Sequence, residues 1–110
     1  MKSSIYFLVS SLKNESPVKA LIALANNLNK EKFNIYIVFF YNNLTLVNHF
    51  ENNIILIDLS SESFLIKGLK LKSILNKDNL IKISISYGII ADFINLVYSS
   101  NFNFRISNIR

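Results

Sequence analysis

Residues 5–29 couple an apolar run, IYFLV, through a polar connection at 10–16 to a segment whose apolar positions recur every three or four residues. Val18, Leu21, Ile22, Ala25 and Leu28 fall on one stripe of a helix, and that stripe has to lie on an apolar surface. Ser16 stands at the N-cap position and Pro17 at the first helical position, where a missing N–H costs nothing. A buried strand feeding such a helix within a few residues opens an α/β unit on a parallel sheet. Sheets of that kind bind ligands at the carboxyl ends of their strands, which makes the connection 10–16 the first candidate for function.

The alternation continues. Residues 34–41 (NIYIVFFY) are β-branched or aromatic almost throughout, the pattern of a central parallel strand buried on both faces. Asn42 and Asn43 break the run, and Leu46, Val47 and Phe50 then stand at helical offsets in a segment long enough for a turn or two. Residues 54–59 (IILIDL) read as a third strand between asparagine and serine pairs. Ser63 caps a helix running to about Asn76, with Phe64, Leu71, Ile74 and Leu75 directed at the sheet and Lys67, Lys70 and Lys77 at solvent. Gly68 inside that pattern costs up to about 1 kcal/mol relative to alanine, which implies close packing or a bend. Residues 81–86 (IKISIS) alternate, as a less completely buried strand does. Gly88 precedes a helix with Ile90, Phe93, Ile94 and Val97 as its core stripe, and Asp92 in its first turns suits the helix dipole. Residues 103–109 (NFRISNI) alternate again as a fifth strand.

Right-handed crossovers turn this succession into a single Rossmann-like domain over residues 1–110, a three-layer α/β/α arrangement on an open parallel sheet of about five strands in the order 3-2-1-4-5. The switch point falls between the first and fourth strands, where the connections 10–16 and 86–89 meet.

Composition narrows the classes. With 110 residues, 51% of them hydrophobic, the chain has material for one core and too much of it for disorder. No apolar run approaches the roughly 20 residues of a membrane span. The amino-terminal apolar run, about six residues long, is also shorter than a signal peptide requires. Cysteine is absent, which excludes disulfides and thiolate metal sites and makes a cytoplasmic address the expectation. The net charge of +5 comes mainly from lysines scattered over helix faces, and no nucleic-acid partner is expected from it. The surface those lysines suit is an anionic membrane, where each basic residue contributes about 1 kcal/mol.

Most chemical signatures are missing. A dinucleotide fingerprint or a P-loop needs clustered glycines after the first strand, and neither of the two glycines is there. A phospho-receiver needs acidic residues where Ser10 and Ser11 stand, so Asp58 is an isolated match. His49, the one histidine, lacks an evident partner for general-base work, and no cluster has metal-ligand spacing. At the switch point, Glu15 is a base or a sugar-hydroxyl acceptor if it is not simply a solvated loop residue. Asp92 offers a ligand contact or serves the helix dipole, and Tyr87 stacks on a sugar ring or packs.

The run IYFLVSSLKNESPVKALIALANNLNKEKFNIYIV resembles the amino terminus of GT-B-fold glycosyltransferases of family 4, retaining enzymes that move a sugar from a nucleotide donor. The run SYGIIADFINLVYSSNFNFRISNIR is similar to the same family's H-S-H-G-x-x-A-D phrase and the strand after it. The resemblance implies an acceptor-side, amino-terminal Rossmann-like domain whose donor-binding carboxy-terminal half lies outside this chain. It places Lys13, Asn14, Glu15 and Ser16 in the loop that approaches the donor phosphates and the acceptor. Ser86, Tyr87 and Gly88 match the S-H-G end of the fourth strand, and Ala91 with Asp92 the A-D that follows. Glu15 and Ser16 replace the family's glycine pair, and Ile85 and Tyr87 its two histidines.

The expectation is therefore a glycosyltransferase domain acting toward a glycan or lipid-linked acceptor and inactive as this isolated chain. No catalytic residue and no metal are assigned, and a nucleotide-sugar donor is expected only with the second domain. The expected partners are that domain or subunit, a peripheral membrane contact through lysines, and a second copy through the apolar edge at Phe102, Phe104 and Ile106. The competing classes are a non-catalytic α/β interaction module and a flavodoxin-like domain that binds flavin or accepts phosphate.

Overall fold

Apolar side chains on both sides of β1 (Ser3–Val9) put it at the centre of the sheet in the computed structural model, which describes residues 2–10, 16–41, 50 and 53–108. The chain continues through α1 (Ser16–Asn27), β2 (Phe33–Phe39), β3 (Ile55–Asp58), α2 (Phe64–Lys77), β4 (Ile81–Tyr87), α3 (Ile89–Val97), a 3-10 turn at Ser99–Asn101 and β5 (Phe104–Asn108). The five strands are parallel and lie in the order β3-β2-β1-β4-β5, the order expected from right-handed crossovers. The segment expected to form a short helix around Leu46 and Val47, with His49, lies outside the described residues.

Period-two alternation divides the sheet into two apolar faces. On one, Ile5, Phe7 and Val9 of β1 join Ile35, Ile37 and Phe39 of β2 under Val18, Leu21, Ile22 and Ala25 of α1, the stripe read from the sequence. On the other, Tyr6, Leu8 and Val38 join Leu71 and Leu75 of α2 and Ala91 and Ile94 of α3. The result is three layers, with α1 on one side and α2 and α3 on the other.

Element ends follow local hydrogen bonds. α1 stops at Asn27, one residue short of Leu28, the last position of its apolar stripe, because the Asn29 carbonyl accepts from the Lys32 and Phe33 amides and turns the chain into β2. Ser63 accepts from the Ile66 amide and caps α2. Gly68 meets the Tyr98 hydroxyl so closely that a Cβ would collide with it, so its role is close packing.

Two expectations about helix faces are corrected. Lys67 is buried, with its ammonium 4.2 Å from the centroid of the Tyr41 ring, while Phe64 is half exposed. A long aliphatic stem can cover apolar surface while a ring face receives the charge, so the lysine takes an inward position without an acidic partner among the described residues. On α3, Phe93 and Val97 are half exposed, and among the described side chains those facing the sheet are Ala91, Asp92, Ile94 and Asn95, while the side chain of Ile90 lies outside the described ones. Phe102 is likewise turned inward, edge-on to Tyr6 at 5.9 Å, because it precedes β5 and does not share its alternation. Phe104 and Ile106 stay exposed on the edge strand, as expected.

Below the amino end of β4, the Tyr6 hydroxyl donates to Asp78 Oδ2 at 2.6 Å, and Tyr36 stacks on Tyr6 at 4.5 Å. Burial and the Asp78 carboxylate push the Tyr6 pKa far above that of a free tyrosine. Burial acts to raise Asp78, but hydrogen bonds from the Tyr6 hydroxyl and the Leu80 amide, with the Lys82 charge, bring it below the usual carboxylate value.

Candidate functional site

β1 and β4 are neighbours that leave the sheet in opposite directions along its order, β1 feeding a helix toward β2 and β4 a helix toward β5. Their carboxyl ends form the switch point, and Ser10 is its hub. The Ser10 amide donates to the Tyr87 carbonyl at 3.3 Å, and its own carbonyl accepts from the Phe40 and Tyr41 amides at 3.3 and 2.9 Å. One residue thereby ties together the ends of β1, β2 and β4.

Gly88 begins the other connection with φ +103°, a backbone state that a side chain strains. A Cβ there would also strike the Ser10 side chain. As the N-cap of α3, glycine has no oxygen to offer the first turn; the Ser10 hydroxyl supplies one from the neighbouring connection, accepting from the Ala91 amide at 3.4 Å. The two connections expected to meet do so through Ser10 and Gly88. Lys13, Asn14 and Glu15 lie outside the described residues, and Ser16 opens α1.

Beneath this junction, α3 rests on a polar network. The Ser86 hydroxyl donates to Asp92 Oδ1 at 2.5 Å, and Asn95 Nδ2 donates to Ser86 Oγ at 3.0 Å and to the Ile106 carbonyl at 3.3 Å. Ser84 Oγ donates to Asn95 Oδ1 at 2.6 Å. Ser84, Ser86 and Asn95 are fully buried and Asp92 nearly so, so the network fixes how α3 docks across β4 and β5. Asp92 is therefore a supporting residue under the rim as well as a first-turn acid. Asn95 and Ser84 were not singled out from the sequence. The signal was there: Ser84 and Ser86 are two apart on a strand, and Asp92 and Asn95 three apart on a helix, so each pair shares a face.

On the α1 side, Tyr87 is half-buried and lines a cavity of about 190 Å³ together with Phe7, Ala20, Leu21, Leu24 and Ile85. The lining is mostly apolar, with Ser86 and Tyr87 as its polar residues. Around α2 and α3 a second concavity of about 260 Å³ is bounded by Phe64, Leu65, Gly68, Phe93, Val97 and Tyr98. Among the described residues, no group of three histidine, aspartate or glutamate side chains is placed to hold a metal ion. No helix among the described residues is long and apolar enough to cross a membrane.

Comparison with protein-family models, with curated proteins and with solved structures returns no match for this chain.

Proposed function

We propose that this chain is the acceptor-side, amino-terminal domain of a GT-B-fold family 4 glycosyltransferase, working with a donor-binding domain to move a sugar from a nucleotide-sugar donor to a glycan or lipid-linked acceptor. The observation that carries the reading is the junction of Ser10 with Gly88 at the β1–β4 switch point, where open parallel sheets take their ligands. The residues that match the family phrase, Ser86, Tyr87, Gly88 and Asp92, fall at or directly under that junction. In this reading Tyr87 offers a ring to the acceptor and Lys13, Asn14, Glu15 and Ser16 belong to the facing loop.

Chemistry on the diphosphate leaving group belongs to the donor-binding domain, because a developing charge of that size needs preorganised cationic or dipolar groups. The isolated chain then performs no transfer. We assign it to the cytoplasm, with peripheral membrane contact through its lysines and self-association through the open edge of β5. The test is a transfer assay over a panel of nucleotide sugars, with the chain alone and with separately produced donor-binding domains. Transfer only in the mixture is expected; sugar release by the chain alone, or no transfer in any mixture, overturns the assignment.

A second reading, a non-catalytic α/β interaction module, is favoured by the apolar outer surface of α2 and α3. It predicts no transfer in any mixture.

A further inference from the structure

α3 is built inside out. Its inward positions include Asp92 and Asn95, both engaged in the buried network, while Phe93, Leu96 and Val97 on its outer face are each more than half exposed. α2 lies beside it, with Phe64 and Phe93 6.2 Å apart between ring centroids, and adds Leu65 and Leu69 to the same surface, again more than half exposed. Large apolar side chains gathered on two neighbouring helices, when a helix usually turns that stripe inward, mark a surface that is covered in use.

The charges beside it say by what. α2 carries four lysines and no carboxylate. Lys67 is spent on the Tyr41 ring and Lys70 on Glu62, and Lys72 and Lys77 have no ion pair among the described residues. The exposed part of α3 carries no charge at all. A second copy laid on this surface would bring two basic helices together, whereas an anionic bilayer accepts apolar side chains at its interface and neutralises the lysines beside them.

We propose that the outer surface of α2 and α3, centred on Leu65, Phe93, Leu96 and Val97 and flanked by Lys72 and Lys77, lies on an anionic membrane surface. The proposal rests on the peripheral-contact part of the functional reading and is independent of sugar transfer, so the vesicle experiment and the transfer assay fail separately.

The experiment is co-sedimentation of the full chain with sucrose-loaded vesicles, either phosphatidylcholine alone or an equal mixture with phosphatidylglycerol. Two variants accompany it: Leu65→Ser/Leu96→Ser/Val97→Ser and Lys72→Glu/Lys77→Glu. All positions are exposed, and circular dichroism checks that each variant keeps its fold. The chain is expected to bind the mixed vesicles and hardly the neutral ones, with affinity reduced about tenfold or more by either variant. The proposal is overturned if the folded chain ignores the mixed vesicles or binds both kinds equally. It is also overturned if the serine variant binds as well as the parent, or if sedimentation shows a dimer that the serine variant splits.

Discussion

α1 and α3 do the same topological job, each carrying the chain from one parallel strand toward its neighbour, yet they meet the sheet in opposite ways. α1 lays Val18, Leu21, Ile22 and Ala25 on an apolar face and leaves its polar residues outside. α3 holds the sheet partly through Asp92 and Asn95 and turns Phe93, Leu96 and Val97 outward. The first arrangement gains from burial in proportion to area and tolerates small shifts. The second depends on hydrogen bonds with fixed partners, so it specifies one position of the helix against β4, beside the junction at Gly88.

The largest effect is expected on the α1 side. Ile22→Ala removes a buried branched side chain and should lower unfolding free energy by about 3 kcal/mol in a urea titration, with the m-value unchanged. On the α3 side, Asn95→Ala strips the Ser84 hydroxyl of its acceptor and the Ile106 carbonyl of a donor, at a cost of about 2 kcal/mol. Pairing Asn95→Leu with Ser84→Ala replaces both partners by apolar groups and should recover about half of that loss, a rescue that would have no counterpart on α1. If Asn95→Ala proves neutral, the polar docking of α3 is ornamental and the contrast between the helices collapses.

A pH series separates the polar bonds from apolar burial on the face that α2 and α3 cover. Asp78 is depressed in the folded state, so its contribution is present above the ordinary value of 3.8 and is lost as pH falls through the lower folded value. Tyr6 is raised, so its contribution is complete below the ordinary value of 10.0 and is lost as pH climbs above it. Tyr6→Phe should flatten the alkaline loss measured by thermal melts, and Asp78→Asn the acid loss. The smallest effect belongs to the outer surface of α3, where Leu96→Ser should change stability by no more than about 0.5 kcal/mol in the same urea titration, because the side chain is mostly in water.

The same contrast explains what could be read from the residues alone. Strand order and the α1 stripe were legible because continuous apolar runs and a regular helical period leave few arrangements. The core side of α3 was not, because periodicity assumes that apolar side chains face the sheet, and here the serines of β4 offered polar partners to Asp92 and Asn95. Lys67 was misplaced for a related reason: its inward position depends on the Tyr41 ring, which is distant in sequence. At the candidate site, the meeting of the two connections followed from topology. The part played by Ser10 as a cap for α3 did not, since a tertiary cap leaves no local pattern.

The central proposal is that the junction between the ends of β1 and β4 receives the sugar acceptor. The most direct measurement is an amide chemical-shift titration of the labelled chain with a panel of glycan and lipid-linked acceptor headgroups. The account predicts that at least one member moves the amides of Ser10, Tyr87, Gly88 and Ala91 in a saturable way, while those at Tyr6, Asp78 and Leu80 on the opposite rim stay fixed. Saturable shifts confined to that opposite rim, or none anywhere across the panel, would contradict it.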